Sequence, residues 1–443
     1  TTLQIDTTGT AGNDTITVTS ADNAHGNDNL VIDTGTEAAD TVTVNGAATF
    51  QDDITITTPT VLLNAAGQLN STSGTGTIGI EADSVTLTAG SQTNAGAGRV
   101  EIDPLTAGTA IHFGNTTLAG ELNLSDPEID TITAGVLQVG DVTAGRINFS
   151  GTTNGGLISP ANASTLHLIT GSFVTDGANN NTGGGIRVAN LAIEAGGANA
   201  GDDRAIRINN TNNGVETRVD TFAASSSDGW IEFREDNNAG TPTPGIGLTI
   251  GTVDGVVGVT NTSNTGDNNR ERISINVQQG DLIIANDMSS RRDLFVRALG
   301  NQNQIILNAG ATIGHVEGGT LTLRADNIDI EGTINSPGRT VSLQPDDNGN
   351  QVHVGTGAVD VLNDDLLEIS QLELDQITAG TVLIGRHDFS VPINAAGDIT
   401  VVGTTTLVNS NNLGFRTNGT VSQNVGATIT ETNFGIIARG DVT

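Results

Sequence analysis

Apolar residues in this chain come in short alternating clusters. From Leu30 to Leu124 they read LVI, VTV, ITI, VLL, IGI, VTL, VEI, IHF and LNL, separated by Gly, Asn, Asp and Thr. A period of two over three to five residues is the pattern of a half-buried strand, and the separators are turn residues. The clusters recur roughly every 8 to 15 residues, and no stretch carries the 3.6-residue periodicity of an amphipathic helix of ordinary length.

Many short strands fit either a string of β-sandwiches or a β-solenoid. A sandwich of ordinary size rests on longer strands and an aromatic-rich core. Aromatic residues are only 2% of this chain, with no Tyr and one Trp, Trp230, whereas Gly numbers 58 of 443 residues. A solenoid coil stacks short strands at about 4.8 Å, fills a narrow interior with small aliphatic side chains and turns its corners with Gly and Asn. The pattern therefore predicts an all-β chain, a right-handed parallel β-helix. Coils of about 20 to 30 residues would make roughly 15 to 22 turns and an elongated rod of about 70 to 105 Å.

The chain also repeats itself on a longer scale. EIDTITAGVLQVG, from Glu128 to Gly140, returns as ELDQITAGTVLIG from Glu373 to Gly385. NAAGQL at Asn64 matches NAGATI at Asn308, ADSVTL at Ala82 matches ADNIDI at Ala325, GRVEI at Gly98 matches GRTVSL at Gly338, and NLAIEA at Asn190 matches NFGIIA at Asn433. The period is about 244 residues, so two tandem copies are expected, residues 1–198 and 244–443. Residues 199–243 have no second copy. They hold Arg204, Arg207, Arg218, Trp230, Arg234 and Pro242, with Pro244 just beyond, and are expected to form a lateral elaboration whose arginines meet an acidic surface.

GNDTITV (Gly12 to Val18), DTVTVNGAATF (Asp40 to Phe50), QITAGTVLIG (Gln376 to Gly385) and GDITVVGTTTL (Gly397 to Leu407) resemble the repeat regions of large bacterial β-strand-repeat surface proteins of the filamentous-haemagglutinin type. The resemblance covers nearly the whole chain. It implies a parallel β-helix, export, and a role in adhesion or surface structure. The Asn-Pro motifs of a two-partner secretion domain are not found.

Charge narrows the partners. All 17 basic residues are Arg, and against 50 acidic residues they leave a formal charge of −33. Such a field repels nucleic acid and anionic membrane and keeps a large surface hydrated. Without Cys there are no disulfides, and without Lys no Lys–Asn isopeptide bridges, so backbone ladders and packing carry the stability. This composition suits an extracellular bacterial surface, and no apolar run is long enough to span a bilayer.

Candidate chemistry is sparse. Calcium is the most natural small partner: Asp14 and Asp28 end GND turns, and DDNGN supplies Asp346, Asn348 and Asn350. Calcium-binding nonapeptide repeats need turns nine residues apart, however, and Asp14 and Asp28 are 14 apart. Neither calcium nor another cofactor is expected to be required. A carbohydrate-active lyase or glycosidase needs carboxylates facing across a cleft. The clusters Asp364, Asp365 and Glu368, and Asp202 and Asp203 beside Arg204, would be its source. His112, His353 and His387 are scattered, and Arg439–Asp441 spells an RGD tripeptide that this composition produces by chance. The expected function is a structural or adhesive extracellular solenoid with no enzymatic activity and no membrane insertion. Its expected partners are other copies of itself, end to end, and surface polysaccharide or host cells. A carbohydrate-active β-helix and an array of β-sandwich adhesin domains are the alternatives.

Overall fold

The computed structural model describes residues 2–8, 12–23, 28–151, 156–177, 184–201, 203–209, 217–236, 247–267, 269–300, 302–359, 366–387 and 395–443. The chain is a parallel β-helix. It divides into two compact units, one of Thr1–Val219 with Val253–Val256, the other of Asp220–Thr252 with Val257–Thr443.

In the first unit each coil runs through three parallel ladders. The first ladder stacks Thr2–Asp6, Asn29–Asp33, Ile54–Thr57, Thr77–Glu81 and Arg99–Asp103, and continues through residues 136–139, 165–170 and 190–195. The second begins Thr15–Val18, Thr41–Val44, Thr60–Leu63 and Ser84–Leu87. The third stacks Ala21–Asn23, Ala47–Phe50, Gln68–Ser71 and Gln92–Asn94, reaching residues 132–133. Ile54 pairs with Ile78 and Ile78 with Val100, so successive coils advance by 24 and 22 residues.

Alternation decides which side of each strand is wet. Leu30, Ile54, Ile78, Val100, Leu137, Leu166 and Leu191 stack one above another, all fully buried or nearly so. Each such side chain contributes about 1.5–3 kcal/mol by leaving water. Small aliphatic residues fill most of the interior, as the composition predicts. Six phenylalanines add to it, and Phe113 lies over its ladder partner Phe149 with ring centroids 4.7 Å apart.

The second unit is built the same way. One ladder stacks Trp230–Glu235, Ile273–Val277, Leu294–Ala298, Thr320–Arg324, residues 340–344, residues 381–385, Asn412–Arg416 and Asn433–Ile437. A second runs Leu248–Ile250, Leu282–Ile284, Gln304–Leu307 and Asn327–Ile330. A third runs Val259–Asn261, Met288–Ser290, Thr312–His315 and residues 333–335.

The long sequence repeat corresponds to a repeated irregularity. In the first unit Ile111–Phe113 is flanked by Ile147–Phe149 on one side and, on the other, by Leu122–Leu124, a strand that follows it in sequence. The chain thus steps back one rung before moving on. In the second unit Gln351–Val354 stands between Leu366–Ile369 and Ile399–Val401 in the same way. Each backward step is followed by a single-turn helix, α1 (Asp126–Ile129) and α2 (Gln371–Asp375), and then by the ITAG strand, Ile132–Val139 or Ile377–Gly385. Some strands are longer than the sequence pattern predicts, because a strand that rounds a corner serves two ladders. Thr333–Gln344 does so, with a register shift between Ser336 and Thr340.

The stretch without a second copy, 199–243, supplies rungs where it is described. Arg204–Ile208 pairs beside Val174–Thr175 in the first unit, and Trp230–Glu235 pairs beside Ile273–Val277 in the second. Burial alternates along WIEFRE, the pattern a rung needs, and RAIRI buries Ala205, Ile206 and Ile208. Pro242 and Pro244 lie outside the described residues.

Candidate functional site

Three clusters of charged or polar side chains stand out. The first lies on the first ladder of the first unit. His167, nearly buried, is level with Gln138, which is level with Glu101. Onto this surface comes Asp254, in the two-residue tip of a hairpin between Thr252–Val253 and Val256–Val257. Asp254 and Gly255 both have positive φ, 47° and 87°, the backbone that tight hairpins demand and Asp-Gly accepts. One carboxylate oxygen of Asp254 accepts from the Arg99 guanidinium, and the other lies 2.7 Å from His167 Nδ1. His167 Nε2 is 3.2 Å from Glu194, and Arg99 also donates to Gln138 Oε1 at 2.8 Å. Burial pushes the Asp254 carboxyl up, but the hydrogen bonds from Arg99 and His167 outweigh it and leave it below the usual carboxylate range. An Asp–His pair of this kind is two of the three members of a nucleophilic triad, but among the described residues no hydroxyl or thiol is hydrogen-bonded to His167, and its second nitrogen faces a carboxylate.

The second cluster belongs to the second unit and surrounds Asp346. Its buried carboxylate accepts from Arg297 Nε at 2.6 Å and stands 2.8 Å from Arg324 Nε. Arg386 donates to Asn348 Oδ1 at 2.6 Å, and Asn350 Nδ2 donates to Asp326 at 3.0 Å. Burial, with Arg386 and Arg297 nearby, drives the Arg324 guanidinium down to about 10. The DDNGN turn considered for calcium therefore holds guanidinium groups, whose charge opposes a divalent cation.

The third is a polar groove of about 500 Å³ in the first unit, lined by Thr36, Thr60, Asp83, Thr106, Glu121 and Asn123 among others, none of them aromatic. Asp83 accepts the Thr106 backbone N–H at 2.8 Å and its hydroxyl at 2.6 Å. Glu121 is paired with Arg146 at 2.6 Å, while its other oxygen, Oε2, is buried without a hydrogen-bond partner among the described residues. Asn123 ties down the loop through both Leu118 and Glu121 backbone groups. Sequence reasoning missed this groove, because the backward step that places Glu121 beside Asp83 leaves no mark in local pattern.

The other expected residues are dispersed. Asp14 precedes a strand of the second ladder and Asp28 a strand of the first, at different corners of the coil. The Asp14 backbone N–H donates to Asp40 Oδ1 at 2.8 Å. Among the described residues no group of three or more histidine, aspartate or glutamate side chains stands where it could hold a metal ion. Arg204, Arg207 and Arg218 belong to the first unit and Trp230 and Arg234 to the second. Arg234 pairs with Asp236 at 3.2 Å, and the Arg272 guanidinium lies 5.9 Å from the Trp230 ring centroid. Asp202, Asp364 and Asp365 lie outside the described residues. His112 is buried and meets the Ser150 hydroxyl at 2.9 Å, and His353 is level with Glu368 in its ladder. The backbone of the RGD tripeptide is bonded to the rung beneath it, Gly440 to Gly419 and Val421 to Asp441. No helix among the described residues is long and apolar enough to cross a membrane.

No protein-family model, no curated protein and no solved structure matches this chain.

Proposed function

We propose that this chain is a structural or adhesive β-solenoid component of an extracellular bacterial surface fibre, without enzymatic activity and without a required metal. The observation that carries the reading is how the converging charges are used. Asp254 is held by Arg99 and His167, Asp346 by Arg297 and Arg324, and Asp83 by Thr106. Groups saturated in this way brace a scaffold; a general acid or nucleophile must keep a face open to substrate. The resemblance to filamentous-haemagglutinin repeats supports the same reading, as does a charge of −33 for an exposed and hydrated surface. End-to-end stacking of copies belongs to the same reading, since a parallel ladder pairs each strand with the next through backbone groups.

One observation favours a second reading, a carbohydrate-active β-helix: the unpartnered Glu121 oxygen in a groove that also holds Asp83. Incubation with a panel of acidic and neutral surface polysaccharides separates the two. A scaffold retains some of them and releases no reducing or unsaturated ends. Release of such ends, abolished by Glu121→Gln, would overturn the structural reading.

A further inference from the structure

The two units carry opposite charge at corresponding places. In the first ladder of the first unit, the last residue of each strand stacks in register as Asp6, Asp33, Thr57, Glu81 and Asp103. The sequence repeat sets Ala82 against Ala325, which places Glu81 opposite Arg324 in the alignment of the copies. Following the second unit's ladder from Arg324, the same row reads Arg234, Asn276, Arg297, Arg324 and Gln344, with Arg416 one rung beyond Gly385. Asp6 thus corresponds to Arg234, Thr57 to Arg297, and Glu81 to Arg324. Four of the chain's 17 basic residues stand in this one row.

Each ladder is held by the buried aliphatics on the other side of its strands; in the basic row Arg297 and Arg324 also brace Asp346 and Arg234 pairs with Asp236, which leaves four guanidiniums against two carboxylates. Like charges stacked on adjacent rungs repel and cost the unit that carries them. The strain is visible in both. Among the described residues none of Asp6, Asp33, Glu81 and Asp103 has an ion-pair partner. Burial first, then Asp141, Glu101 and Glu81, push the Asp103 carboxyl up to about 7. In the second unit Asp346 stands against both Arg297 and Arg324, and burial first, then Arg386 and Arg297, lower the Arg324 guanidinium. Both rows repeat at the rung spacing of a parallel ladder, about 4.8 Å. A carboxylate row and a guanidinium row laid side by side therefore keep the same interval, whichever way the two run.

We propose that the acidic row of one copy docks laterally on the basic row of a second copy of this chain, through Arg–carboxylate pairs. Every copy carries both rows, so each copy can offer either side of the contact. This rests on the structural reading above and deepens it, by assigning the surface through which scaffolds associate side by side. Screening shortens the reach of such pairs, so the contact weakens with salt, whereas stacking of apolar rung ends strengthens with salt.

Sedimentation velocity of the full chain at about 50 and about 500 mM NaCl, where the Debye length falls about threefold, reads the association. Two charge-reversed variants are compared: Asp6→Arg with Glu81→Arg, both exposed positions, and Arg234→Glu with Arg416→Glu, which leaves the Asp346 pairs intact. The expected result is association of the wild type at low salt, weakened at least tenfold at high salt. Each variant alone is dispersed, and an equimolar mixture associates again. Asp6→Asn with Glu81→Gln replaces the first variant if circular dichroism shows that it does not fold. A wild type that is monodisperse at low salt, or variants that associate as it does, would overturn the proposal. So would a monodisperse wild type that binds a polyanionic polysaccharide through Arg234 and Arg416, which would assign the basic row to that polymer. None of these outcomes bears on polysaccharide cleavage, so lateral docking and the structural reading fail separately.

Discussion

At the scale of single residues, carboxylates do two opposite things in this chain. Asp103 is half-buried beside other acids, and its burial, then those acids, push its carboxyl up to about 7. Its folded-state value lies above that of an unfolded Asp, about 3.9, so ionisation costs the folded state above pH 7, and the cost is relieved as pH falls from 7 toward 4. Asp103→Asn should therefore stabilise the protein at pH 8 by about 1–2 kcal/mol, discounted for partial exposure. The gain should fade by pH 5; thermal melts at the two pH values check it. Asp254 is the reverse case, a carboxylate held below its usual range by Arg99 and His167. Its contribution is present above the unfolded value and is lost as pH falls through the folded one. Asp254→Ala should cost about 1–3 kcal/mol at pH 7, and urea denaturation should show the difference from wild type closing in acid.

At the scale of elements, the repeated words of the sequence turn out to be corners. In α1, Ser125 and Glu128 form a capping box: Glu128 Oε2 accepts from the Ser125 backbone at 2.9 Å, while its other oxygen accepts from Leu87 N on the strand below at 3.3 Å. In α2, Glu373 does the same for Ser370 at 2.7 Å and for Ile330 at 3.1 Å. Each carboxylate thus satisfies a helix N-terminus and ties it to the previous coil. Replacing Glu128 or Glu373 by Ala should cost about 2–3 kcal/mol, since it strands two backbone N–H groups; the shift in urea midpoint measures it. The glycine of ITAG is the companion constraint. A Cβ on Gly135 would sit 2.3 Å from the Ala97 carbonyl oxygen, and one on Gly380 2.5 Å from the Gly338 carbonyl carbon. Gly135→Ala should therefore lose about 2–4 kcal/mol. Gly79→Ala, whose added Cβ meets nothing within 4 Å, should change stability by less than about 0.5 kcal/mol.

At the scale of the whole molecule, cohesion comes from stacked aliphatic columns and parallel ladders, with no disulfide. The calcium candidates Asp14 and Asp28 lie at separate corners and the Asp346 turn lies beside guanidiniums, which supports the proposal that folding needs no metal. Saturating EDTA should therefore leave the melting temperature within about 2 °C. A larger fall, reversed by calcium, would reject it. Ionic strength should matter more, because the unpaired acidic row of the first unit and the crowded arginines of the second are both relieved by screening.

The alternation of small aliphatics with Thr, Asn and Asp was enough to specify strands, their inward faces and a solenoid, because a strand's period of two sorts its side chains without reference to anything distant. The repeat of Glu128–Gly140 at Glu373–Gly385 likewise marks two like corners, since the same capping and corner residues make the same turn. What local pattern could not contain was which strand lies beside which. The backward step of Leu122–Leu124 beneath Ile111–Phe113 builds a groove from Asp83 and Glu121, and the seating of Asp254 on Arg99 and His167 joins residues far apart in sequence. The opposed charge rows arise in the same way: Asp6, Asp33, Glu81 and Asp103 are ordinary turn-edge acids when read along the chain. Only the register of the ladder sets them one above another, because stacking, at about 4.8 Å per rung, brings together residues that the sequence separates by a full coil.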